Sequence, residues 1–297
     1  MKKLISAALA VLFAACLLAG CEGATTPATD GTGAPAFDTS QGITVVSRED
    51  GSGTRGAFVE LFGILETGAD GSKTDRTTEE AVIANKTDVM MTNVAGNPYA
   101  IGYISMGSLN DTVKALQIDG VDATTENVKN GSYTVARPFN LATNGEATGL
   151  AKDFIDFILS ADGQAVIGHS YIAIDDSAPA YAGSKPEGRI VVAGSSSVTP
   201  VMELLKEAYI AVNPNATIEI QMSDSSAGMN GAIDGTCDIG MASRELKDSE
   251  LETLTCIPIA IDGIAVIVNN ENPLPGLTKE QVKAIFTGEV TEWSGVM

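Results

Sequence analysis

From residue 42 onward, short apolar runs bounded by Gly, Asp and Asn alternate with segments in which apolar residues recur every three or four positions. The short runs predict strands at 43–46, 190–193, 217–222, 238–242 and 257–268. The periodic segments predict helices that include 54–63, 150–159, 198–212 and 279–286. This alternation predicts an α/β protein with largely parallel sheets. In such folds, ligands bind at the carboxyl ends of the strands, where strand-to-helix loops gather.

The candidate helix 150–159 illustrates the expected division between core and surface. Its large apolar residues share one face of the helix. The charged residues Lys152, Asp153 and Asp156 are expected to lie outside that face, in contact with water.

Three strand-to-helix loops are rich in Ser, Gly and Thr: 47–56 (SREDGSGTRG), 194–200 (GSSSVTP) and 223–229 (SDSSAGM). Small residues let backbone N–H groups approach a ligand, hydroxyls add donors, and a helix N-terminus adds partial positive charge. Ser is also a routine N-cap, so each loop alone is weak evidence of a site. Three such loops in one chain favour an anion site, with Arg48 as its cation and Asp50 able to hold that guanidinium.

Composition narrows the class of ligand. The 297 residues suggest about two domains. The 18 Lys and Arg against 38 Asp and Glu give a net charge of −20, which argues against nucleic acid and against anionic membrane surfaces as partners. A small anion stays compatible with this charge, because exposed carboxylates beyond a Debye length of ~8 Å are largely screened. One His and four Cys argue against a His-rich zinc site or a His-dependent triad, so no metal is expected.

The N-terminus has the features of a secretion signal. A basic start at 1–3 precedes an uncharged, mostly apolar stretch at 4–19, which is shorter than the ~20 residues of a membrane-spanning helix. The stretch ends in Leu-Ala-Gly-Cys21, which resembles the lipobox of bacterial lipoproteins. The resemblance implies a signal peptide over 1–20 and a lipid on the Cys21 sulfur; the alternative is an ordinary signal with an incidental Cys.

Three further features of the chain bear on its organisation and chemistry. Residues 21–41, rich in Thr, Gly, Ala and Pro, are expected to form a flexible tether. Cys237 and Cys256 are compatible with either one disulfide or two separately buried thiols. The glycines at 51, 53 and 56 match a dinucleotide-binding pattern literally, but charged residues stand before them and a lone match is common by chance.

Several segments together resemble the phosphate-binding proteins of the phosphate-specific ABC transporter. They are 47–55, 100–104, 154–165, 193–200, 237–246, 261–269 and 286–294. In that family the Gly-Ser-Ser motif comes first, whereas here residues 42–185 resemble the later half and 186–297 the earlier half. The resemblance therefore implies a circular permutation, with 181–187 joining the old ends. Exchange of halves with a neighbouring chain, or an incomplete piece of a tandem product, are the alternatives.

The fold implied by the resemblance is a type II periplasmic-binding-protein-like fold, with two α/β lobes joined by a hinge of two crossing strands. Under permutation, lobe A would combine 43–136 with 261–297, and lobe B would be the continuous segment 137–260. The anion would bind between the lobes.

The site implied by the resemblance is a set of phosphate-binding residues: Arg48, Ser52, Gly53, Thr54, Ser196, Ser197 and Ser225. Ser196 and Ser197 would offer backbone N–H and hydroxyl donors, and Asp50 would orient Arg48. Ser243 stands where some members place an Asp that accepts the proton of hydrogen phosphate. Because a hydroxyl accepts or donates, rejection of ions such as sulfate is expected to be less secure. Arg244, next to it, is expected to be a solvated charge rather than a second cation near the mouth.

The function implied is that of a lipid-anchored protein on the extracytoplasmic face of the cell membrane, which captures inorganic phosphate and delivers it to an ABC permease. No cofactor is expected and no enzyme activity, since no general base, metal cluster or activated nucleophile accompanies the anion loops. Two alternatives remain: a nucleotide-dependent oxidoreductase using the glycines of 51–56, and a phosphate sensor or surface interaction protein.

Overall fold

A computed structural model describes residues 37–297. The expected signal peptide at 1–20, the lipidation site Cys21 and the tether up to residue 36 lie outside the described residues. Within 37–297, no helix is both long enough and apolar enough to cross a membrane.

The described part of the chain contains fourteen strands and nine α-helices. The strands are β1 (Thr44–Arg48), β2 (Leu65–Thr67), β3 (Lys73–Asp75), β4 (Val82–Ala84), β5 (Ala100–Ser105), β6 (Lys114–Ala115), β7 (Gln117–Ile118), β8 (Ala136–Asn144), β9 (Ile172–Ala173), β10 (Gly188–Ser195), β11 (Ala216–Ser223), β12 (Ile239–Ala242), β13 (Leu254–Val268) and β14 (Gly276–Leu277). The helices are α1 (Gly53–Leu61), α2 (Thr87–Ala95), α3 (Thr125–Lys129), α4 (Gly149–Leu159), α5 (Ala161–Ile167), α6 (Thr199–Val212), α7 (Ser225–Asp234), α8 (Asp248–Leu251) and α9 (Lys279–Phe286).

The predicted α/β class is confirmed, and each predicted strand and helix is present within a few residues of its expected bounds. The expectation of largely parallel sheets is only partly right. The main sheet has the order β11-β10-β12-β8-β13-β5-β1-β4. Its outer strands pair in parallel, β10 with β11 and β12, and β1 with β4 and β5. The two central strands β8 and β13 run antiparallel to each other and to their neighbours, a pairing that needs no crossover helix.

The buried apolar residues form four clusters, which fall into two groups by sequence. Core A comprises the two clusters with buried residues from 45–135 and 264–293, and core B comprises the two with buried residues from 139–260. Strand β13 contributes to both groups, since Ile259 and Ala260 belong to core B and Ile264 to Val268 belong to core A. The helices that follow β1 and β10 therefore pack on different cores.

Asp153 on α4 is buried, contrary to the expectation that it faces water. It is 5% exposed and accepts hydrogen bonds from the Tyr209 hydroxyl at 2.7 Å, the Ser184 N–H at 2.9 Å and the Tyr181 hydroxyl. Three donors offset the cost of burying the carboxylate. Two of them come from the irregular segment 174–187, so Asp153 fixes that segment against α4 and α6.

Residues 37–41 belong to the folded body, which corrects the expectation that the tether extends to 41. The Phe37 ring lies 5.0 Å from Tyr99 and 5.9 Å, edge-on, from Trp293. The Ser294 N–H donates to the Thr39 carbonyl at 2.7 Å. An aromatic residue amid small polar ones supplies the apolar surface that attaches this segment.

Cys237 and Cys256 are both free thiols, which decides between the two alternatives left open by their spacing. Cys237 is buried and Cys256 is half-buried. Burial raises the pKa of both thiols, so both favour the protonated form.

Truncating Phe58 is expected to destabilise the protein strongly. Its ring is fully buried, stacks on Tyr103 at 3.8 Å and meets Phe286 at 4.7 Å. Phe58→Ala should lower the free energy of unfolding by about 3–5 kcal/mol in urea titrations. The control is Ile83→Ala, whose side chain is 54% exposed and should cost less than about 0.5 kcal/mol. Similar losses for both variants would contradict this account of core A.

Candidate anion-binding site

The polar loops predicted from sequence lie next to one another in the structure. The Arg48 Nη2 atom donates to Ser196 Oγ at 3.0 Å, and Thr54 Oγ1 lies 2.8 Å from Ser197 Oγ. The Ser226 N–H donates to the Gly51 carbonyl at 3.2 Å. Segments near residues 50, 196 and 225 therefore meet at one buried junction, which we call the cleft. The β1 loop lies on one side of it and the loops after β10, β11 and β12 lie on the other.

Arg48 is the cation at the base of this cleft, with 2% of its surface exposed. Its Nε donates to the Ala84 carbonyl at 3.1 Å, and both Nε and Nη2 donate to the Glu49 carboxylate at 2.8 Å. Its Nη1 atom is buried and has no hydrogen-bond partner among the described residues. A buried donor without a partner is costly, so this N–H is suited to an anionic acceptor.

Tyr103 holds the backbone of Arg48 by a hydrogen bond. Its hydroxyl accepts from the Arg48 N–H at 3.1 Å and lies 3.0 Å from Ser47 Oγ. Burial raises the pKa of Tyr103 to about 12, although the hydrogen bonds from Ser47 and Arg48 oppose this shift. The hydroxyl therefore stays neutral and positions the end of β1.

The carboxylate that orients Arg48 is Glu49, not Asp50. The Asp50 side chain is 96% exposed and pairs with Arg55 at 2.7 Å. Arg55 in turn donates to the Arg48 carbonyl at 2.8 Å. The longer Glu49 side chain folds back on the preceding guanidinium, whereas Asp50 points away along α1. The expectation that Asp50 orients Arg48 is therefore wrong.

Four buried hydroxyls form a connected group across the cleft: Thr54, Ser195, Ser197 and Ser243. Thr54 Oγ1 lies 3.2 Å from Ser243 Oγ, which accepts from Ser195 Oγ at 3.0 Å. Each hydroxyl has one proton to donate, so the group can redirect its donors towards an anion.

The backbone N–H groups of Ser196 and Ser197 are already bonded, in contrast to the expectation that they face the ligand. Ser196 N–H donates to the Ser223 carbonyl at 3.1 Å and Ser197 N–H to Ser195 Oγ at 3.3 Å. These two serines offer hydroxyls in this arrangement. Ser52 is the N-cap of α1 and accepts from the Arg55 N–H at 3.3 Å, as its position in the loop predicts.

Gly53 brings α1 into contact with the opposite side of the cleft. A Cβ atom at this position would lie 2.3 Å from Ser225 Oγ and 2.9 Å from Ser243 Oγ. At Gly51 a Cβ would lie 2.3 Å from Asp224 Oδ1. Gly51 and Gly53 therefore allow the β1 loop to pack closely against the loops that contain Asp224, Ser225 and Ser243. This packing gives no support to a dinucleotide-binding role for the glycines.

Two residues of the site were missed by sequence reasoning. Thr87 begins α2, is buried, and has its Oγ1 3.4 Å from Ser196 Oγ and 3.5 Å from Ser197 Oγ. The strand before it, β4, has three residues, two of them exposed, so its hydrophobic signal is weak. Arg137 on β8 donates from Nη2 to Thr54 Oγ1 at 3.3 Å. A single Arg at the start of an apolar strand is not a recognisable pattern in the sequence.

Arg244 is buried rather than solvated, which corrects its expected role. Its guanidinium pairs with both oxygens of Glu250 at 2.8 Å and donates to Ser226 Oγ at 3.3 Å. Burial alone would raise the pKa of Glu250, but Arg244 and the Lys247 N–H lower it below its usual value. Arg244 thus holds the loop after β12 against α7.

Comparisons with known proteins agree with this architecture. The family model described as the PBP superfamily domain matches residues 35–162 and 179–295. The phosphate-binding protein PstS 2 of Streptococcus agalactiae is 51% identical over 94% of this chain and 92% of its own length. The crystal structure of a phosphate-binding protein of a phosphate ABC transporter from Streptococcus pneumoniae superposes with a TM-score of 0.69 at 44% identity, covering 86% of this chain and all of that one.

A more distant relative matches only part of the chain. The phosphate-binding protein PstS of Bacillus subtilis is 37% identical over 139 residues, which are 46% of this chain and 43% of that protein. Among the described residues, no group of three or more His, Cys, Asp or Glu side chains is arranged to hold a metal ion.

Gly53→Ala is expected to weaken anion binding by about tenfold or more, because the added methyl would meet Ser225 across the cleft. Gly56→Ala, three residues later on α1, is the matched control, since its Cβ would come no closer than 3.6 Å to Arg244 Cδ. It should leave binding unchanged and stabilise the helix by about 0.5–1 kcal/mol. Calorimetric titration with inorganic phosphate measures both; equal affinities would show that the close approach at Gly53 is not needed for binding.

Proposed function

This chain belongs to the PBP superfamily and, within it, to the family of phosphate-binding proteins named PstS, and on this premise we propose that it captures inorganic phosphate in the cleft at Arg48. It acts as the substrate-binding component of an ABC transporter and not as an enzyme.

The buried Arg48 Nη1 atom carries this proposal. It is an N–H donor without a partner among the described residues, on a guanidinium whose Nη2 atom donates to Ser196 Oγ. Hydrogen bonds to charged groups contribute ~1.5–3 kcal/mol each. A few such bonds from Arg48 and the surrounding hydroxyls reach the roughly −8 kcal/mol of micromolar binding. The other proposed ligands are Ser52, Gly53, Thr54, Ser197 and Ser225, with Ser243 in support.

Phosphate is proposed to bind between two lobes. Lobe A would comprise 43–136 with 261–297 and lobe B 137–260, a division that the separate cores A and B support. Strands β8 and β13 would form the hinge, since β13 passes from one core to the other. Donors from both sides of the cleft would couple closure to binding.

The proposed partners follow from the transporter role. The closed, phosphate-loaded protein would deliver its ligand to the permease subunits of an ABC transporter on the extracytoplasmic side of the cell membrane. Cleavage before Cys21 and a lipid on its sulfur would anchor the protein there, as the sequence Leu-Ala-Gly-Cys indicates.

A circularly permuted order of the two halves is part of the proposal. The observation that supports it is that the loops at 48–54 and 195–197 meet within a single chain. This contact favours permutation over an exchange of halves between neighbours.

Replacing Arg48 with Ala should weaken phosphate binding by at least about 100-fold, because the buried charge-assisted donors are lost. Equilibrium dialysis with labelled phosphate measures the effect. Arg189→Ala removes a surface guanidinium whose side chain is 63% exposed and should leave the affinity within about twofold. An Arg48→Ala protein with unchanged affinity would remove this residue from the site.

The permuted site should be complete in one chain. Light scattering combined with calorimetry is therefore expected to show a monomer that binds one phosphate. A monomer that does not bind, alongside a dimer that does, would instead indicate exchanged halves.

A further inference from the structure

We infer that Arg137 is a positioning residue that couples cleft closure to the orientation of the Thr54 hydroxyl. This inference rests on the proposed function. Arg137 lies at the start of β8, directly opposite Asp262 of β13 in the strand register. It is 4% exposed and Asp262 is 1% exposed.

The Arg137 guanidinium contacts three separate segments of the chain. Its Nη1 atom donates to the Asp262 carboxylate and to the carbonyls of Asp262 at 3.1 Å and Gly263 at 3.0 Å. Its Nε donates to the Ser243 carbonyl at 3.3 Å, and its Nη2 to Thr54 Oγ1 at 3.3 Å. One planar group thus joins the central strands, the loop after β12 and the first turn of α1.

These contacts connect the two sides of the cleft through the central strands. Thr54 belongs to α1, which packs on core A, whereas Ser243 follows β12, which packs on core B. Asp262 and Gly263 lie on β13, where it passes between the cores. Rotation of one core against the other would keep Arg137 on Asp262 but separate it from Thr54 or Ser243. The full set of contacts is therefore made in the closed arrangement alone.

Arg137 also determines what the Thr54 hydroxyl can do. A guanidinium only donates, so Thr54 Oγ1 must accept from it. The Thr54 proton is then directed away from Arg137, towards the side of the hydroxyl where Ser197 Oγ lies at 2.8 Å and Ser243 Oγ at 3.2 Å. When the cleft is closed, the contact from Arg137 thus leaves the Thr54 hydroxyl proton free to be donated to an anion. Phosphate oxygens need such donors.

A double-mutant cycle on phosphate affinity in the full chain tests this coupling, with thermal melting to confirm folding. Arg137→Lys keeps a positive charge opposite Asp262 but cannot reach Thr54 and Ser243 together. It should weaken binding by about tenfold in the wild-type background and by less than about threefold when Thr54→Val is already present. A loss of the same factor in both backgrounds would overturn the inference.

The matched control is Arg244→Lys, because Arg244 is another buried, carboxylate-paired guanidinium. Within residues 37–297, it donates only to residues of 226–250. The fold-loss of phosphate affinity caused by Arg244→Lys should be the same with and without Thr54→Val. A coupling between Arg244 and Thr54 as large as that between Arg137 and Thr54 would contradict a specific link from Arg137 to Thr54. If Arg137→Lys does not fold, the pair Arg137→Gln with Asp262→Asn, which removes both buried charges, takes its place in the cycle with the same expected outcomes. A wild-type chain that does not bind phosphate would overturn the proposed function itself.

Discussion

The antiparallel pairing of β8 with β13 is the constraint on which the rest of the structure depends. It runs from Leu254 opposite Asn144 to Gly263 opposite Ala136, and its two strands are flanked by the parallel strands of both cores. Because parallel β1 and parallel β10 to β12 attach on opposite sides of this pair, their carboxyl ends come together at one cleft. This strand pairing brings the polar loops next to one another. None of the loops has a complete set of hydrogen-bond donors by itself.

Electrostatics at the cleft are local, despite a net charge of −20. Arg48 is paired with Glu49 and Arg137 with Asp262, so each buried guanidinium has its own carboxylate. Burial raises the pKa of Asp262, and the charge of Arg137 opposes that shift. In each pair the two opposite charges largely cancel, so the guanidinium is held in place with little net charge. Solvent and salt screen the site from the exposed carboxylates elsewhere on the surface.

The sequence was sufficient for features determined locally and insufficient for those determined by packing. Ser- and Gly-rich loops between a strand and a helix are local patterns, so the sequence predicts an anion site from 47–56, 194–200 and 223–229, and these loops lie together in the structure. The choice between Glu49 and Asp50 depends on side-chain directions that spacing does not contain. Asp153 and Arg244 were assigned to the surface because charged residues rarely lie in cores, yet partners distant in the sequence stabilise both. Thr87 is not predicted because it follows a three-residue strand, whose hydrophobic pattern is weak. Arg137 is not predicted because its position depends on the pairing of β8 with β13, which are distant in the sequence.

The docking of Phe37 beside Trp293 has a spectroscopic consequence. Trp293 is the sole indole of the chain; it is fully enclosed, and its ring N–H donates to the Tyr99 carbonyl at 3.2 Å. Indole emission shifts to longer wavelength when water reaches the ring, so this protein carries an intrinsic fluorophore at the point where the N-terminal segment joins the body. Detachment of residues 37–41 from Trp293 would expose the indole to water and would be visible as a red shift without any added label.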